Sequence, residues 1–255
     1  MQMLDKKTII SFGVVIPTYN RPNFCISAIK SVIRAIGNCP IIVVDDCSSR
    51  KNRELLNNLN EFPNVEILFL EKNMGGNGAR NEGQKRLPKN VDYVLFLDDD
   101  DLLNGSWNYS RHFDADILFL RSLFHPSVDW LLNLTKARSF KQIVRLSLVQ
   151  GSFCNTSCFI IKKSLITEEL FDSSLRRFQD LDILLSLPND TKSELVEEVK
   201  VKRNLRDRSN TLRGKSRRQE VEKFINRESF EKKLNSFFNF EGYKAVHMRN
   251  YKNFF

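Results

Sequence analysis

The chain has 255 residues, of which 41% are hydrophobic, so it can bury a sizeable core as an ordinary globular protein does. No stretch approaches the roughly 20 apolar residues that span a bilayer, and the N-terminus lacks a signal peptide's long apolar region, so we expect a cytosolic protein with at most peripheral membrane contact. Residues 201–255 hold 15 Lys and Arg against 6 Asp and Glu, which accounts for the whole formal net charge of +9 and predicts an anionic partner there: phospholipid, nucleic acid or substrate phosphates.

The first half of the chain alternates strand-like and helix-like segments. Ile9–Ile16 is an apolar, β-rich run that ends at Pro17, and apolar residues then recur at helical spacing from Cys25 to Ile36. Further apolar runs predict three strands: Ile41–Val44, Ile67–Leu70 and Tyr93–Leu97. Apolar strands that alternate with helices indicate an α/β fold with a mostly parallel sheet covered on both faces. The ligand site of such a sheet lies beyond the carboxyl ends of its strands.

The second half is less regular. Its patterns predict strands at Asp116–Leu120 and Ser152–Ile161, and helices at Ser139–Leu148, Asp180–Leu187 and, as a basic extension, Lys215–Phe238. The five cysteines are odd in number and lack paired CxxC or Cys/His spacing: Cys25, Cys39, Cys47, Cys154 and Cys158. We therefore expect reduced, mostly buried thiols and no zinc site.

Four consecutive aspartates, Asp98, Asp99, Asp100 and Asp101, follow the apolar run Tyr93–Leu97. Carboxylates on one turn repel each other by about 3 kcal/mol per close pair, at roughly 5 Å and an effective dielectric of about 20. A cation is therefore expected among them. Mg²⁺ or Mn²⁺ fits, because hard cations are typically held by one or two carboxylates plus substrate phosphates. The alternative is a solvated acidic turn.

Two other polar segments follow predicted strands. In the turn Pro17–Pro22 the prolines fix the backbone, and Tyr19 offers a flat face on which a base can stack. Asp45 and Asp46 follow the next strand, where a carboxylate can accept the imide hydrogen of uracil or thymine. A serine cap at the start of a helix is the alternative explanation for the polar residues after Asp46.

A glycine-rich turn, Asn73–Gly83, leads into a predicted helix. Its glycines allow close backbone approach, and Arg80 lies about one turn inside the helix, where it can reach a base or a phosphate. A plain glycine turn with a solvated arginine is the alternative. The segment does not fit GxxxxGK[ST], which excludes a P-loop.

The segments PTYNRP, VDDCSS, NMGGNGARNEG and LFLDDDD, in this order, resemble glycosyltransferase family 2, whose members have the GT-A (Rossmann-like) fold. The resemblance covers about residues 10–105. It implies an enzyme that transfers a hexose from a nucleotide sugar with Mn²⁺ or Mg²⁺. Asp100 is then the likelier metal ligand, and Asp98 supports the metal while lying nearer the ribose. The implied nucleotide-sugar-binding residues are Pro17, Thr18, Tyr19, Asn20, Arg21, Asp45, Asp46, Gly76, Arg80, Asp98 and Asp99.

The same family places a Glu-Asp pair at the start of a later helix, and its Asp is the general base. The matching stretch here is FQDLDILL, with Gln179 where Glu is usual and Asp180 as the implied base. Asp182 remains a second possibility. The alternative for Asp180 is a carboxylate stabilised by the helix dipole. A base opposite the leaving diphosphate predicts a single displacement that inverts the anomeric configuration.

The basic C-terminal region offers further candidates. Arg206, Arg208 and Arg213 are predicted phosphate or acceptor contacts, with a solvated basic loop as the alternative. In Tyr243–Phe255 aromatic residues are interleaved with cations, which suits an anionic membrane interface. A strand or helix packed on the domain is an equal alternative for this tail.

These expectations combine into one hypothesis. Residues 1–103 form the nucleotide-sugar-binding half of a GT-A domain, 104–214 its acceptor and catalytic-base half, and 215–255 a basic helical extension. The donor is expected to be a UDP-sugar and the acceptor a glycan or lipid-linked oligosaccharide, in bacterial surface polysaccharide synthesis at the inner face of the membrane. An inactive donor-binding homologue is one alternative, because Gln179 replaces the usual Glu. A nucleic-acid-binding module is another, but the aspartates would repel phosphate.

Overall fold

The computed structural model describes residues 10–107, 113–123, 139–150, 155–203 and 223–239. Within these ranges eight strands form one sheet in the order β3-β2-β1-β4-β7-β6-β8-β5. The strands are β1 Phe12–Thr18, β2 Ile41–Asp45, β3 Val65–Phe69, β4 Tyr93–Phe96, β5 Asp101–Gly105, β6 Ile117–Ser122, β7 Phe159–Lys162 and β8 Ser193–Arg203. The helices are α1 Pro22–Ile36, α2 Arg50–Asn57, α3 Gly75–Arg86, α4 Phe140–Gln150, α5 Gln179–Ser186 and α6 Glu228–Phe238.

The first four strands are parallel to one another. β1 pairs with β2 on one side and β4 on the other, and β2 pairs with β3. Every residue of β1, β2 and β4 is buried, which explains why these strands are continuous apolar runs in the sequence. Helix α3 packs directly on β1 and β2 at Gly83, where an added Cβ would lie 2.5 Å from Val15 and 2.7 Å from Val44. Only glycine allows this close approach of helix and sheet.

The second half of the sheet is mixed and curls back toward the first. β7 is antiparallel to both β4 and β6, β8 is parallel to β6, and β5 is antiparallel to β8 at the far edge. Although β5 lies at that edge, its Leu103 amide donates a 3.0 Å hydrogen bond to the Ser31 hydroxyl of α1. Just beyond β5, the Trp107 amide bonds the carbonyl of Ala35. The edge strand therefore closes over a helix that belongs to the first half.

The predicted α/β fold is confirmed, but several predicted boundaries are wrong. The described part of the strand expected at Ser152–Ile161 begins at Phe159, because a 3-10 turn at Thr156–Cys158 precedes it. The helix expected to run continuously to Phe238 is interrupted at Arg227, whose backbone is extended, with φ −71° and ψ 135°. Strands β5 and β8 were not predicted, because both carry charged residues and lie away from the apolar centre of the sheet.

Two other expectations concern the described part of the chain. Cys25, Cys39, Cys47 and Cys158 are free thiols, as predicted, and Cys154 lies outside the described residues. None of the helices in the described ranges combines the length and apolarity needed to cross a membrane.

Candidate active site

The polar segments singled out in the sequence meet at one edge of the sheet. Thr18, the last residue of β1, is in register with Asp45, the last residue of β2, and the Asp46 amide bonds the Thr18 carbonyl. Next to them, the Leu97 amide at the end of β4 bonds the carbonyl of Val15. Since β1, β2 and β4 are parallel, their carboxyl ends present these segments side by side.

Asp99 points into the protein and joins two of the segments. It is only 1% exposed, accepts a 2.8 Å hydrogen bond from the Thr18 hydroxyl, and lies 2.6 Å from a guanidinium nitrogen of Arg21. Burial raises the pKa of Asp99 to about 7, against the lowering effects of the Arg21 charge and the Thr18 hydrogen bond. Arg21 also lies 3.5 Å from Asp100, so it holds the turn after β1 against the aspartate run.

The other three aspartates form a cluster of hard oxygen donors. One carboxylate oxygen from each of Asp98, Asp100 and Asp101 lies within 4.8 Å of the other two. The cluster is held together by the Asp101 amide, which bonds the Asp98 carbonyl at 3.0 Å, and by Asn155, whose side chain bonds the Asp101 carboxylate at 2.9 Å. Oxygens around Mg²⁺ lie about 2.1 Å from the ion, hence up to about 4.2 Å apart, so a small closure lets this donor set fit a divalent cation.

Arg80 lies beside this cluster and is buried. Its guanidinium bonds the Asp98 carboxylate, donates a 3.1 Å hydrogen bond to the side-chain oxygen of Asn77, and lies over the Phe171 ring at 5.3 Å. An added Cβ at Gly76 would lie 3.2 Å from the guanidinium, so the glycine leaves room for Arg80. The alternative of a solvated arginine is therefore wrong. With Arg21, Arg80 supplies positive charge at the aspartate run.

Asn77 and Asn81 tie α3 to the segment that precedes α5. The Asn77 amide group donates two 2.9 Å hydrogen bonds, to the carbonyls of Asp172 and Leu175. Asn81 exchanges hydrogen bonds with both backbone groups of Phe171, at 2.8 and 3.0 Å. Sequence analysis did not assign these two asparagines, because their partners lie 90 or more residues away.

The turn after β1 is fixed by polar contacts. Asn20 has the left-handed backbone conformation, with φ 56°, and its side-chain oxygen accepts hydrogen bonds from the Ser49 amide and the Asn52 side chain. Its own amide donates a 2.7 Å hydrogen bond to the Ser48 hydroxyl. Tyr19 is 47% exposed and so presents its ring to solvent at the mouth of the site. Pro17 lies inside β1, in register with Val44.

The aspartate pair after β2 is largely buried. Asp45 is fully buried, and one of its oxygens accepts hydrogen bonds from the Ser48 amide and from Arg53. Asp46 accepts a 2.6 Å hydrogen bond from the Met74 amide and so connects to the glycine-rich turn. Burial raises the pKa of Asp46, although the Met74 and Gly75 amides lower it. These contacts bring the turn after β2 and the glycine-rich turn before α3 together.

Asp180 is the second residue of α5 and is partly exposed. Its carboxylate accepts a hydrogen bond from the Leu181 amide at 2.9 Å. The preceding Phe178 has a left-handed conformation, φ 64°, so the helix begins at a sharp turn. The side-chain oxygen of Gln179 is buried and has no hydrogen-bond partner in the described part of the chain. Asp182, the other candidate, is buried and pairs with Lys233 at 2.7 Å.

Several predicted features cannot be placed. Arg206, Arg208 and Arg213, and the tail Tyr243–Phe255, lie outside the described residues. In contrast, Asn155 and Ser157 were not predicted from the sequence: the Asn155 side chain bonds Asp101, and the Ser157 hydroxyl accepts a 3.1 Å hydrogen bond from the Asp98 amide. Asp101 was part of the predicted acidic run, but only the structure shows that it begins β5 and that its carboxylate lies beside those of Asp98 and Asp100.

Comparison with known proteins supports the family. The model of "Glycosyl transferase family 2" matches residues 13–111. Succinoglycan biosynthesis protein ExoW of Rhizobium meliloti is 27% identical over 187 residues, which cover 64% of this chain and 58% of ExoW. Poly(ribitol-phosphate) beta-N-acetylglucosaminyltransferase TarS of Staphylococcus aureus is 30% identical over 99 residues, which cover 37% of this chain and 17% of TarS. The matches thus span about half of ExoW and a smaller part of TarS.

Solved structures show the same architecture. TarS residues 1–349 in complex with UDP-GlcNAc align with a TM-score of 0.58 and 16% identity, covering 94% of this chain and 76% of that one. The mannosyltransferase PcManGT of Pyrobaculum calidifontis, in complex with GDP-Man and Mn²⁺, aligns with a TM-score of 0.62 and 13% identity, covering 95% and 72%. Residues 13–111 of the chain are thus similar to glycosyltransferase family 2, and the chain has the GT-A fold.

Proposed function

We propose that this chain transfers a sugar from a UDP-sugar to a hydroxyl group of a glycan or lipid-linked oligosaccharide, with the aid of a divalent cation and with inversion at the anomeric carbon. The observation that carries the proposal is the convergence of Asp98, Asp100 and Asp101 beside the buried Arg80, at the carboxyl ends of parallel strands. The match of residues 13–111 to the family model supports the reaction class, and the UDP-GlcNAc complex of TarS supports the choice of nucleotide.

The carboxylate cluster would hold the cation through Asp100 and Asp98, with Asp101 as a third ligand. A bound Mn²⁺ or Mg²⁺ supplies positive charge that neutralises the departing diphosphate. Arg80, which pairs with Asp98 in this structure, would add a guanidinium aimed at the same phosphates once the cation shares that carboxylate. Asp99 would keep the run in place through Thr18 and Arg21.

The nucleoside would lie along the segments that follow β1 and β2. Tyr19 presents an exposed ring on which a base can stack, and Pro17 and Asn20 shape the turn that carries it. Asp46, which is fixed by the Met74 amide, lies beside the glycine-rich turn and would contact the base together with Asp45. Gly76 would admit the donor phosphates near Arg80.

Asp180 would act as the general base. At the start of α5 it would take the proton of the acceptor hydroxyl as that oxygen attacks the anomeric carbon. Attack on the face opposite the diphosphate gives a product of inverted configuration without a covalent sugar intermediate. Formation of product with the donor's original configuration would refute this part of the proposal.

The acceptor and the cellular setting are also proposals. The named roles of ExoW and TarS support synthesis of a bacterial surface polysaccharide. We propose that residues 1–103 bind the donor, that residues 104–214 bind the acceptor and supply the catalytic base, and that residues 215–255 contact an anionic membrane surface. Deletion of residues 243–255 should reduce binding to vesicles that contain anionic lipid. Unchanged partitioning would remove the membrane from this proposal.

A thermal-shift comparison tests the donor and the metal together. UDP, GDP and dTDP sugars are added to the full chain with MnCl₂ or with EDTA. We expect UDP-sugars to raise the melting temperature most, and only with Mn²⁺. Asp100→Ala should abolish the Mn²⁺-dependent part, whereas Asp190→Ala, which removes an exposed aspartate, should leave it intact. If Asp100→Ala has normal turnover and normal Mn²⁺ affinity, the metal site is elsewhere.

A further inference from the structure

The carboxyl end of β6 places an arginine at the same level of the sheet as the aspartate cluster. Leu95 of β4 and Leu118 of β6 both pair with Ile160 of β7, the strand that lies between them. Three residues further along these two strands come Asp98 and Arg121. Because neighbouring strands lie about 4.8 Å apart, the backbones of Asp98 and Arg121 are about 10 Å from each other.

The side chain of Arg121 projects on the face of the sheet that carries the candidate active site. On that face, Phe96 of β4 packs against Phe171 with ring centroids 4.8 Å apart, and Arg80 lies over the same Phe171 ring. Phe119 of β6 is level with Phe96 and so projects on the same face. Arg121 follows Phe119 by two residues, and alternate residues of a strand share a face. Arg121 is therefore on the same side of the sheet as Arg80 and the segment that leads into α5.

Arg121 is paired with Glu197 of β8. Its guanidinium donates a hydrogen bond to the Glu197 carboxylate, and the two side chains are 18% and 51% exposed. In the ranges that the structure describes, the buried Nε of Arg121 has no hydrogen-bond partner. A guanidinium has more N–H donors, and a carboxylate more acceptor sites, than one such bond uses. The pair therefore keeps hydrogen-bonding groups that a ligand can use.

An irregularity in β8 brings Glu197 beside the end of β6. Leu120 of β6 pairs with Val196, but the next residue, Arg121, pairs with Lys200. Residues 197–199 of β8 therefore have no opposite residue in β6. Bulges of this kind are common beside active sites, where they re-aim a side chain.

Contacts with neighbouring groups fix the bulge. The Glu197 amide donates a 3.1 Å hydrogen bond to the Glu198 carboxylate. On the other side, Gly105 of β5 has a φ of 113°, and an added Cβ would lie 2.0 Å from the Glu198 carbonyl oxygen. Only glycine fits at this position of β5. The bulge is therefore a built feature of the sheet, and it sets the position of Glu197.

We propose that Arg121 and Glu197 bind neighbouring hydroxyl groups of the acceptor sugar. The inference rests on the proposed function, since it assigns part of the acceptor site. The distance of about 10 Å from Asp98 leaves room for the transferred sugar beside the cluster and puts the pair where the acceptor would lie. Both residues belong to the part of the chain that is proposed to bind the acceptor.

The chemistry of the pair suits a sugar with adjacent hydroxyls. The carboxylate accepts hydrogen bonds from O–H groups and the guanidinium donates to their oxygens, so each partner can bind one hydroxyl. Leu123, two residues beyond Arg121, is 46% exposed and offers apolar surface to the C–H groups of a pyranose ring. Glu197 also limits the positive charge here, to which Lys200, level with Arg121, contributes. The Glu197 charge therefore disfavours a carboxylate on the bound sugar.

The first test measures sugar binding to the full chain by saturation-transfer NMR, with UDP and Mg²⁺ present. The probes are nitrophenyl glycosides of glucose, galactose and mannose, each with the matching uronide, in which a carboxylate replaces the C6 hydroxymethyl group. We expect neutral glycosides to bind. Arg121→Gln should weaken their binding about 10-fold or more and change UDP affinity by less than about two-fold. If no neutral glycoside binds the native chain, the proposal is wrong.

Glu197→Gln keeps the shape of the side chain and removes its charge. In this variant the ratio of uronide affinity to neutral-glycoside affinity should rise at least about 10-fold, because the carboxylate of the uronide then meets Arg121 and Lys200 without an opposing charge. Glu197→Asp, which keeps the charge, should leave the ratio within about three-fold of its native value. An unchanged ratio in Glu197→Gln would contradict the proposal.

Lys192→Gln and Asp114→Asn are the matched controls. Lys192 and Asp114 form a 2.9 Å ion pair just before β8 and β6, at the opposite end of the same two strands. Each substitution should change glycoside affinities by less than about two-fold. Equal weakening by Arg121→Gln and Lys192→Gln would overturn the proposal, because both ion pairs would then act only through the fold. If Arg121→Gln does not fold, Arg121→Lys takes its place: it keeps the charge, loses the planar fork and should still weaken binding.

Two results separate a failure of this inference from a failure of the proposed function. If UDP does not bind but the variants change glycoside binding as expected, the proposed function fails and the sugar site stands. If UDP and Mg²⁺ bind, but glycoside affinity is the same in the native chain and in Arg121→Gln, the sugar site is wrong and the proposed function stands.

Discussion

Asn77, in the first turn of α3, donates a 2.9 Å hydrogen bond to the carbonyl of Leu175, five residues before Asp180. The same side chain accepts a hydrogen bond from Arg80, which contacts Asp98. One asparagine thus joins the guanidinium proposed to bind donor phosphates to the segment that leads to the proposed base. The proposed donor and acceptor halves are therefore connected by side-chain contacts as well as by the sheet.

Asn77→Ala should lower both stability and turnover. It leaves the buried carbonyl of Leu175 and the partly buried carbonyl of Asp172 without this donor, and an unsatisfied buried acceptor costs about 1–3 kcal/mol in the free energy of unfolding. It also removes one of the contacts that position Arg80, so kcat/KM should fall by about 10-fold or more. Urea unfolding and steady-state kinetics measure the two effects.

Asn189→Ala is the matched control for Asn77→Ala, because Asn189 also bonds a backbone carbonyl, that of Phe237 at 3.1 Å. It should lower stability without changing kcat/KM at temperatures where the variant is folded. If both variants lose activity in proportion to their loss of stability, Asn77 has no positioning role.

Substitution of the two aspartates of α5 distinguishes the candidates for the base. Asp180→Asn should lower kcat by about 10²–10⁴-fold and leave UDP affinity unchanged, because only the proton acceptor is lost. Asp182→Asn should mainly lower stability, since Asp182 is buried and pairs with Lys233 at 2.7 Å. A normal kcat for Asp180→Asn together with a large loss of kcat for Asp182→Asn would mean that Asp182, and not Asp180, is the general base.

Asp99 should make stability depend on pH. Burial raises its folded-state pKa from 3.8 to about 7, so between these values the folded protein binds more protons than the unfolded chain. The Asp99 contribution to stability is therefore largest at the acidic end of this window and is lost as pH rises toward 7, by up to about 1.4 kcal/mol per pH unit.

Asp99→Asn removes this titration. Urea unfolding in EDTA from pH 5 to 8 should show that the stability of the native chain relative to the variant declines as pH rises. Asp190→Asn, at an exposed site, is the control and should show a flat difference. A flat difference for Asp99→Asn as well would mean that Asp99 titrates with an ordinary pKa.

Gly83→Ala should destabilise the protein by about 1–3 kcal/mol, because the new methyl group meets Val15 and Val44 well inside van der Waals distance. Val15→Ala in the same chain should recover part of the loss, so the two substitutions should be non-additive in urea unfolding. Lys85→Ala, at a partly exposed position of the same helix, should change stability by less than about 0.5 kcal/mol. Additive losses would mean that the helix shifts away from the sheet.

The sequence predicts the parts of the site that lie at strand ends, because apolar strands followed by polar residues leave a local signal. The aspartate run after β4 and the segments after β1 and β2 are found in this way. The contacts of Asn77 and the ion pair between Arg21 and Asp99 cannot be predicted from such local patterns, because the two partners in each contact lie far apart in the chain. The charged strand β8 lacks the apolar pattern that strand prediction uses.

Strand β5 has a consequence for synthesis on the ribosome. Asp101, its first residue, pairs in register with Arg203, the last residue of β8, so the edge strand that carries one of the clustered carboxylates needs a partner made about 100 residues later. A nascent chain that ends before Ser193 already contains the segments that follow β1, β2 and β4, but it lacks β8, the strand with which β5 pairs. The ability to bind the proposed cation should therefore arise late in translation, after β8 has been made.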